Sequence, residues 1–175
     1  MGILTTDMIM EKDPCVEWTR ERVERVIGEG KTLLEILSME DIVIKDRIWC
    51  ATRFMSDTKN KKFAVWCARQ CKTKVKEIIE YINTIEKFYE GKATQEEVGV
   101  AYRVAKRVAD SARGNTGDIA AYSAAVSAAG SAVGTADNAA YRASYRAADR
   151  AAYEKIQRKQ IKWLKENIEI TEEDR

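Results

Sequence analysis

Apolar residues recur at alternating intervals of three and four along much of the chain, and this spacing constrains the fold more than any other feature. One such series is Val75, Ile78, Ile82, Ile85 and Tyr89. The next is Val98, Ala101, Ala105, Val108 and Ala112. Because an α-helix turns once every 3.6 residues, these intervals place each series on one helix face that can be buried. The sequence therefore predicts an all-α fold.

Several predicted helix boundaries carry residues suited to capping. Thr32 and Glu35, and likewise Thr94 and Glu97, have the spacing of a capping box. In a capping box the side chain of each residue bonds the backbone N–H of the other. Gly91 is predicted to end the helix before Thr94, because glycine readily adopts the left-handed conformation found after helix ends.

Other boundaries are predicted from single residues. Asp13 and Pro14 suit an N-cap and a first helical turn, so a helix is predicted from there to Gly28. Residues 38–41 are predicted to begin another helix, and the polar residues 56–60 to form a turn. Pro14 is the one proline of the chain, whereas turn-rich β-sandwiches and barrels normally use more.

The composition changes after residue 118. Fifteen of the 34 residues from 119 to 152 are alanine, the residue with the highest helix propensity. Glycines at 130 and 134 are predicted to divide this region into two helices. The second would run from about residue 136 to residue 167, a length of about 45–50 Å.

These observations predict a multi-helix bundle of about seven or eight helices with a long alanine-rich C-terminal helix. The length of 175 residues suits a single domain over residues 1–175. Residues 1–12 and 169–175 are expected to be loosely ordered. We expect no membrane span, because no run of eighteen apolar residues occurs, and no secretory signal.

The chain contains no histidine. This removes the commonest general base and the commonest metal ligand. Neither the glycine-rich dinucleotide motif nor a Walker-type phosphate loop is present. We therefore expect a protein that is not an enzyme, with no cofactor, no metal site and no catalytic residues.

The four cysteines show no CxxC spacing, and their neighbours are apolar or helical; they are Cys15, Cys50, Cys67 and Cys71. Reduced thiols buried in a core are the expected state, which indicates a cytoplasmic protein. The four tryptophans are expected to anchor the core; they are Trp18, Trp49, Trp66 and Trp163.

The candidate binding residues lie in the alanine-rich region and are Tyr141, Arg142, Tyr145, Arg146 and Arg150. The three arginines are spaced four residues apart, so they lie near one face of a helix and each is slightly rotated about the axis from the one before. Tyrosine and arginine dominate the binding energy of many interfaces, and the arginine fork suits phosphate or carboxylate. The alternative is a solvated face with local pairing between arginine and aspartate.

Basic residues are concentrated in two stretches although the net charge is only +2. Residues 59–76 contain seven basic residues and no acidic one. Residues 142–165 contain eight basic and two acidic residues. The two stretches could bind nucleic acid, or they could be solvated helix faces that nearby acidic helices neutralise.

One segment resembles a known family. Residues 79–112 contain the pattern G-x-A-T-x-E-E after an acidic-aliphatic helix with an aromatic near its end, and alanine pairs follow. The residues that carry this likeness are Tyr89, Gly91, Ala93, Thr94, Glu96 and Glu97. Residues 46–49 and 63–69 are similar to the family's tryptophan-bearing helices. The chain thus resembles the all-helical immunity proteins of bacterial polymorphic-toxin systems and their bacteriophage-encoded relatives.

The resemblance implies a viral or immunity-like protein that inhibits a bacterial toxin, effector or defence protein by direct binding in the bacterial cytoplasm. One alternative is a sponge for a nucleotide signal, which the arginines and tyrosines of the alanine-rich helices would enclose. A second alternative is a nucleic-acid-binding helical protein. Self-association is a further expectation, because the small-residue face of a long helix would pack well against a second copy.

Overall fold

The computed structural model describes residues 2–71, 73–111, 116–129 and 150–168. Within these ranges, residues 116–118 and 150–152 are described by their backbone alone. Nine helices lie in these ranges, and they confirm the prediction of an all-α multi-helix bundle. The helices are α1 (Thr6–Met10), α2 (Arg20–Ile27), α3 (Leu33–Ser38), α4 (Ile44–Phe54), α5 (Asp57–Gln70), α6 (Lys76–Tyr89), α7 (Gln95–Ser111), α8 (Thr116–Ala129) and α9 (Arg150–Asn167).

The core lies where α5 packs against α8 and where α6 packs against both α7 and α8. Its largest fully buried side chains include Phe63 of α5, Tyr81 of α6 and Leu164 of α9. Helix α4 contacts α3 on one side and α9 on another. Helix α4 therefore connects α3, near the start of the chain, with α9, the last described helix.

Helix α8 is buried through its alanines. Ala121, Ala124 and Ala125 have no exposed surface, and Ala128 is buried as well. Small side chains let the backbones of two helices approach closely, which explains the tight packing of α8 on α5. Beside the alanines, the ring of Tyr122 packs against the rings of Tyr102 from α7 and Tyr81 from α6.

Both predicted capping boxes are present. Glu97 Oε2 accepts a hydrogen bond of 2.6 Å from the Thr94 N–H, and Thr94 Oγ1 accepts one of 3.2 Å from the Glu97 N–H. Thr32 and Glu35 repeat this pattern at 2.7 and 3.2 Å. Gly91 follows the C-cap of α6 with a φ of 72°, in the left-handed region as predicted.

The predicted helix start at Asp13 is wrong. Asp13 has a φ of 53°, which a helix does not contain, and α2 begins only at Arg20. Thr19 is its N-cap, because the Thr19 side chain accepts a hydrogen bond from the Arg22 N–H. Residues 11–19 form an irregular segment, here called the strap.

Two further boundary predictions are wrong. Residues 38–41 do not begin a helix: Ser38 ends α3, and α4 starts at Ile44 without a side-chain cap. Residues 57–60 are the first turn of α5 rather than a loop, and Ser56 caps them. The buried amide of Asn60 explains the difference, because its Nδ2 donates to the carbonyls of Thr52 and Met55 at 2.9 and 3.2 Å.

The N-terminal segment is more ordered than predicted. Strand β1 (Ile3–Leu4) pairs antiparallel with β2 (Lys31–Thr32), with Leu4 opposite Lys31. Leu4 and Ile9 are both buried in the core. Burying these two apolar side chains stabilises the N-terminal segment against the core. The position of the segment near the start of the sequence does not indicate this burial.

The alanine-rich C-terminal helix is described from Arg150 onward. Helix α9 ends at Asn167, as predicted. The predicted part from residue 136 to residue 149 and the tail 169–175 lie outside the described residues. In the parts of the chain that the structure describes, every helix is too short or too polar to cross a membrane.

Candidate binding sites

A cavity of about 300 Å³ lies between the strap, α2, α3, α4 and α9. Twelve of its sixteen lining residues are apolar if cysteine is counted among them. The interior wall is formed by buried side chains of three helices, among them Val23 and Ile27 of α2, Ile36 of α3 and Ile48 of α4. Such a lining suits the apolar part of a small molecule.

The two tryptophans of this region line the cavity while they pack against the core. Trp18 comes from the strap and Trp49 from α4, and both are half-buried. The prediction that the tryptophans anchor the core is confirmed, because Trp66 and Trp163 also pack against it. Trp18 and Trp49 additionally present aromatic surface to the cavity.

Four polar residues line the same cavity. Asp46 Oδ2 accepts a hydrogen bond of 2.8 Å from Trp18 Nε1. Lys45 is exposed beside it. Gln157 and Gln160, both buried, come from α9, on the side of the cavity formed by the C-terminal helix. The polar groups therefore lie at two places, in the first turn of α4 and along α9.

The cavity reaches the protein surface beside Cys15 and Lys45. Both residues line it and both are exposed, whereas the wall residues of α2, α3 and α4 named above are buried. Pro14 and Trp18 of the strap are half-buried, so their exposure is intermediate between that of these two groups. The strap thus forms the outer edge of the cavity.

The reactive groups of the lining are a buried thiol and a single carboxylate. Burial raises the pKa of the Cys50 thiol to about 12, so this thiol is not a thiolate at neutral pH. Asp46 is the one carboxylate of the lining, whereas acid–base hydrolysis by carboxylates uses two. Across the described residues, no three Cys, Asp or Glu side chains converge as metal ligands would.

A second candidate is the outer face of α7, which we define as Val100, Arg103, Val104 and Arg107. The intervals of three and four place these residues on one side of the helix. All four are exposed, and the two valines retain 47% and 45% of their surface. The face therefore combines two exposed apolar side chains with two exposed arginines.

Helix α7 is firmly held on its opposite side. Ala105 and Ala109 are buried, and the helix packs against α6 and α8. The ring of Tyr102 lies 5.9 Å from that of Tyr81 and 6.1 Å from that of Tyr122. The outer face is thus carried on a rigid support, and the Thr94 capping box fixes where the helix begins.

The binding residues predicted from sequence are not tested by this structure. Tyr141, Arg142, Tyr145 and Arg146 lie outside the described residues. Arg150 is the first residue of α9, and its backbone alone is described. Their role in binding stays a prediction, as does the nucleotide-sponge hypothesis that rests on them. A thermal-shift panel of cyclic nucleotides tests that hypothesis.

The basic stretch at residues 59–76 is partly neutralised. Lys61 pairs with Asp57 one turn away on α5. Arg69 pairs with Glu86 of α6, and its Nη2 also donates to Asn83 Oδ1 at 3.0 Å. These pairs involve two of the seven basic residues of the stretch, of which Lys72 lies outside the described residues. Nucleic-acid binding stays a prediction, which a gel shift at low salt tests.

Sequence reasoning assigned neither candidate site. Trp18 was expected to be a core residue, and nothing in its neighbours signals that a cavity lies beside it. The outer face of α7 did leave a signal. Val100 and Val104 lie outside the predicted buried series, where a surface helix normally carries polar residues.

Comparison of the chain with protein-family models, curated proteins and solved structures finds no match. The resemblance to immunity proteins stays a prediction.

Proposed function

We propose that this chain is a non-enzymatic binding protein that inhibits a bacterial effector or defence protein by covering a functional surface of it. We place the contact at the outer face of α7. The observation that carries the proposal is the exposed pair Val100 and Val104 on the same side of α7 as the exposed Arg103 and Arg107.

The composition of this face resembles that of a binding hot spot. Interfaces commonly have an apolar centre that excludes water and a polar rim, and arginine is enriched at their energetic centres. The guanidinium groups of Arg103 and Arg107 can each pair with a carboxylate through two parallel hydrogen bonds. The partner surface expected here is therefore acidic around a small apolar patch.

The position of the face also fits the sequence resemblance. The G-x-A-T-x-E-E segment, residues 91–97, forms the turn that follows α6 and the Thr94 capping box that begins α7. The residues that carry the resemblance therefore set the position of α7. An immunity-like or phage-encoded inhibitor that acts by occlusion needs such a rigidly placed surface.

The test compares protein capture from a bacterial lysate by three forms of the chain. The first is the natural sequence, and the second carries V104D and R107E on the outer face of α7. The third carries V126D, which changes a residue of α8 with a similar exposed fraction of 38%. We expect a partner that the natural chain and V126D retain and that the double variant loses.

Capture alone does not establish inhibition. The retained partner is therefore purified, and its activity is measured with increasing amounts of each form. We expect inhibition by the natural chain and by V126D, and at least tenfold weaker inhibition by the double variant. Recovery of the same partners by all three forms, or inhibition that the double variant retains in full, contradicts the proposal.

A further inference from the structure

We propose that the cavity between the strap, α2, α3, α4 and α9 binds a small, flat, neutral molecule of the bicyclic aromatic class that carries one N–H or O–H donor. This site is separate from the outer face of α7, and the proposal does not depend on the proposed inhibitory function. Its basis is the size, the lining and the charge of the cavity.

The volume sets the size of the ligand. Protein interiors are close-packed, and voids much larger than a water molecule are few. An apolar cavity of about 150 Å³ accommodates benzene, a molecule of six non-hydrogen atoms. The cavity here is about 300 Å³. It can therefore hold two fused rings, on the order of nine to twelve non-hydrogen atoms.

The walls set the polarity of the ligand. Buried Ile36 and Ile48 provide aliphatic surface, and Trp18 and Trp49 add two indole rings. Aromatic rings pack favourably against other aromatic rings in offset or edge-to-face geometry. A flat aromatic body can use both kinds of wall, whereas a phosphate or a sugar would lose hydration against the aliphatic side chains.

Asp46 provides the specific polar contact. Its carboxylate has two oxygens, and Oδ2 accepts the hydrogen bond from Trp18 Nε1. Within the described part of the chain, that bond is the one hydrogen bond to this carboxylate. Oδ1 is thus available to accept a bond from a ligand donor, and a bond to an ionised acceptor is stronger than one between neutral groups.

Lys45 explains why the ligand should be neutral. Its ammonium group and the Asp46 carboxylate belong to adjacent residues that line the cavity, so their charges offset each other. A cationic ligand would gain from Asp46 but would be repelled by Lys45. An anionic ligand would meet the opposite balance. A neutral donor gains the hydrogen bond without either penalty.

The test uses two probes of equal shape and size. Indole carries an N–H donor, and benzofuran has an oxygen in the place of that N–H. Each is titrated into the full chain by isothermal calorimetry. We expect indole to bind at least tenfold more tightly than benzofuran. Equal affinity overturns the assignment of a donor to Asp46, and no binding of indole at millimolar concentration overturns the whole proposal.

Two buried cysteines provide matched variants. Cys50 lines the cavity, whereas Cys71 is buried outside it. The variant C50L adds atoms into the cavity and should reduce indole affinity at least tenfold, while C71L should leave it unchanged. If C71L does not fold, V126L on the exposed side of α8 replaces it as the control. Unchanged indole binding by folded C50L overturns the location of the site.

A second measurement keeps the proposal testable if C50L does not fold. Cys15 is exposed at the edge of the cavity, so bound ligand should shield its thiol. We expect saturating indole to slow alkylation of Cys15 by N-ethylmaleimide at least threefold in the natural chain. An unchanged alkylation rate at saturation places indole elsewhere and overturns the proposal.

Discussion

Trp18 Nε1 donates a hydrogen bond of 2.8 Å to Asp46 Oδ2 across 28 positions of sequence. This bond fastens the strap to the first turn of α4. The guanidinium carbon of Arg22 lies 4.2 Å from the centre of the Trp18 ring, so a cation–π contact secures the indole from α2 as well. The strap, though irregular, is thus held at one defined place.

The variant W18F should destabilise the chain by about 1 to 2 kcal/mol, because it removes a hydrogen bond to a half-buried carboxylate and keeps an aromatic ring. Chemical denaturation measures the change in the free energy of unfolding. The variant D46N keeps an oxygen that can accept the indole N–H, so it should cost less than W18F. Equal losses of unfolding free energy in W18F and D46N would show that the missing hydrogen bond does not account for the effect of W18F.

The variant T94A should destabilise α7 by about 1 kcal/mol, because it removes the side chain that caps the helix. Thermal or urea unfolding measures the effect. T84A is the control, since the Thr84 hydroxyl donates to the Glu80 carbonyl of its own helix and caps nothing. A loss for T84A as large as that for T94A would argue against the capping role.

The two capping glutamates should make stability depend on pH in the acidic range. Hydrogen bonds from the backbone N–H and side chain of Thr32 lower the pKa of Glu35, and those of Thr94 lower the pKa of Glu97. A lowered folded-state pKa contributes stability above the ordinary value of 4.5 that is lost as the pH falls below it.

The measurement is the free energy of unfolding from pH 7 to pH 3 for the natural chain and for a variant carrying E35Q and E97Q. The natural chain should be the more stable one at neutral pH, and the difference should shrink as the carboxylates are protonated. A difference that stays constant over this range would mean that the ionised form of the glutamates is not favoured by folding.

Cys15 should be the one thiol of the folded chain that reacts rapidly with maleimide at pH 7. Burial raises the pKa of Cys50 and Cys71 to about 12 and also raises the pKa of Cys67, so few thiolates form at these residues. Mass spectrometry after brief labelling should show one adduct, and four after unfolding in guanidinium. Two or more adducts on the folded chain would contradict the buried placement.

The variant A124L should destabilise the chain by about 1 to 3 kcal/mol or prevent folding, because Ala124 is fully buried in α8 and a larger side chain forces the packed helices apart. V126L, on the exposed side of the same helix, should change the free energy of unfolding by less than about 0.5 kcal/mol. Similar effects of the two substitutions would show that α8 is not packed through its alanines.

The sequence predicted those parts of the fold that depend on local chemistry. The α6 series from Ile78 to Ile85 is buried, and both capping boxes form, because the interacting groups lie within one or two turns. The boundary errors come from distant contacts. Asn60 belongs to a helix because its amide bonds the end of α4, and nothing in its immediate neighbours reveals that.

The candidate sites were less predictable for the same reason. The cavity needs Trp18, Asp46 and Gln160 together, and only the tertiary fold brings them to one place. Its apolar lining has the same composition as a filled core, so the pattern does not distinguish the two. The outer face of α7 follows from the amphipathic pattern once the buried side is known.

The lining of the cavity also determines when it can form during synthesis. Most of its wall comes from residues 9–50, but Gln157 and Gln160 come from α9. A nascent chain that has not yet released α9 from the ribosome therefore leaves that side of the cavity open to water. Tight occupancy of the cavity would thus distinguish a chain in which α9 has folded into place from one in which it has not.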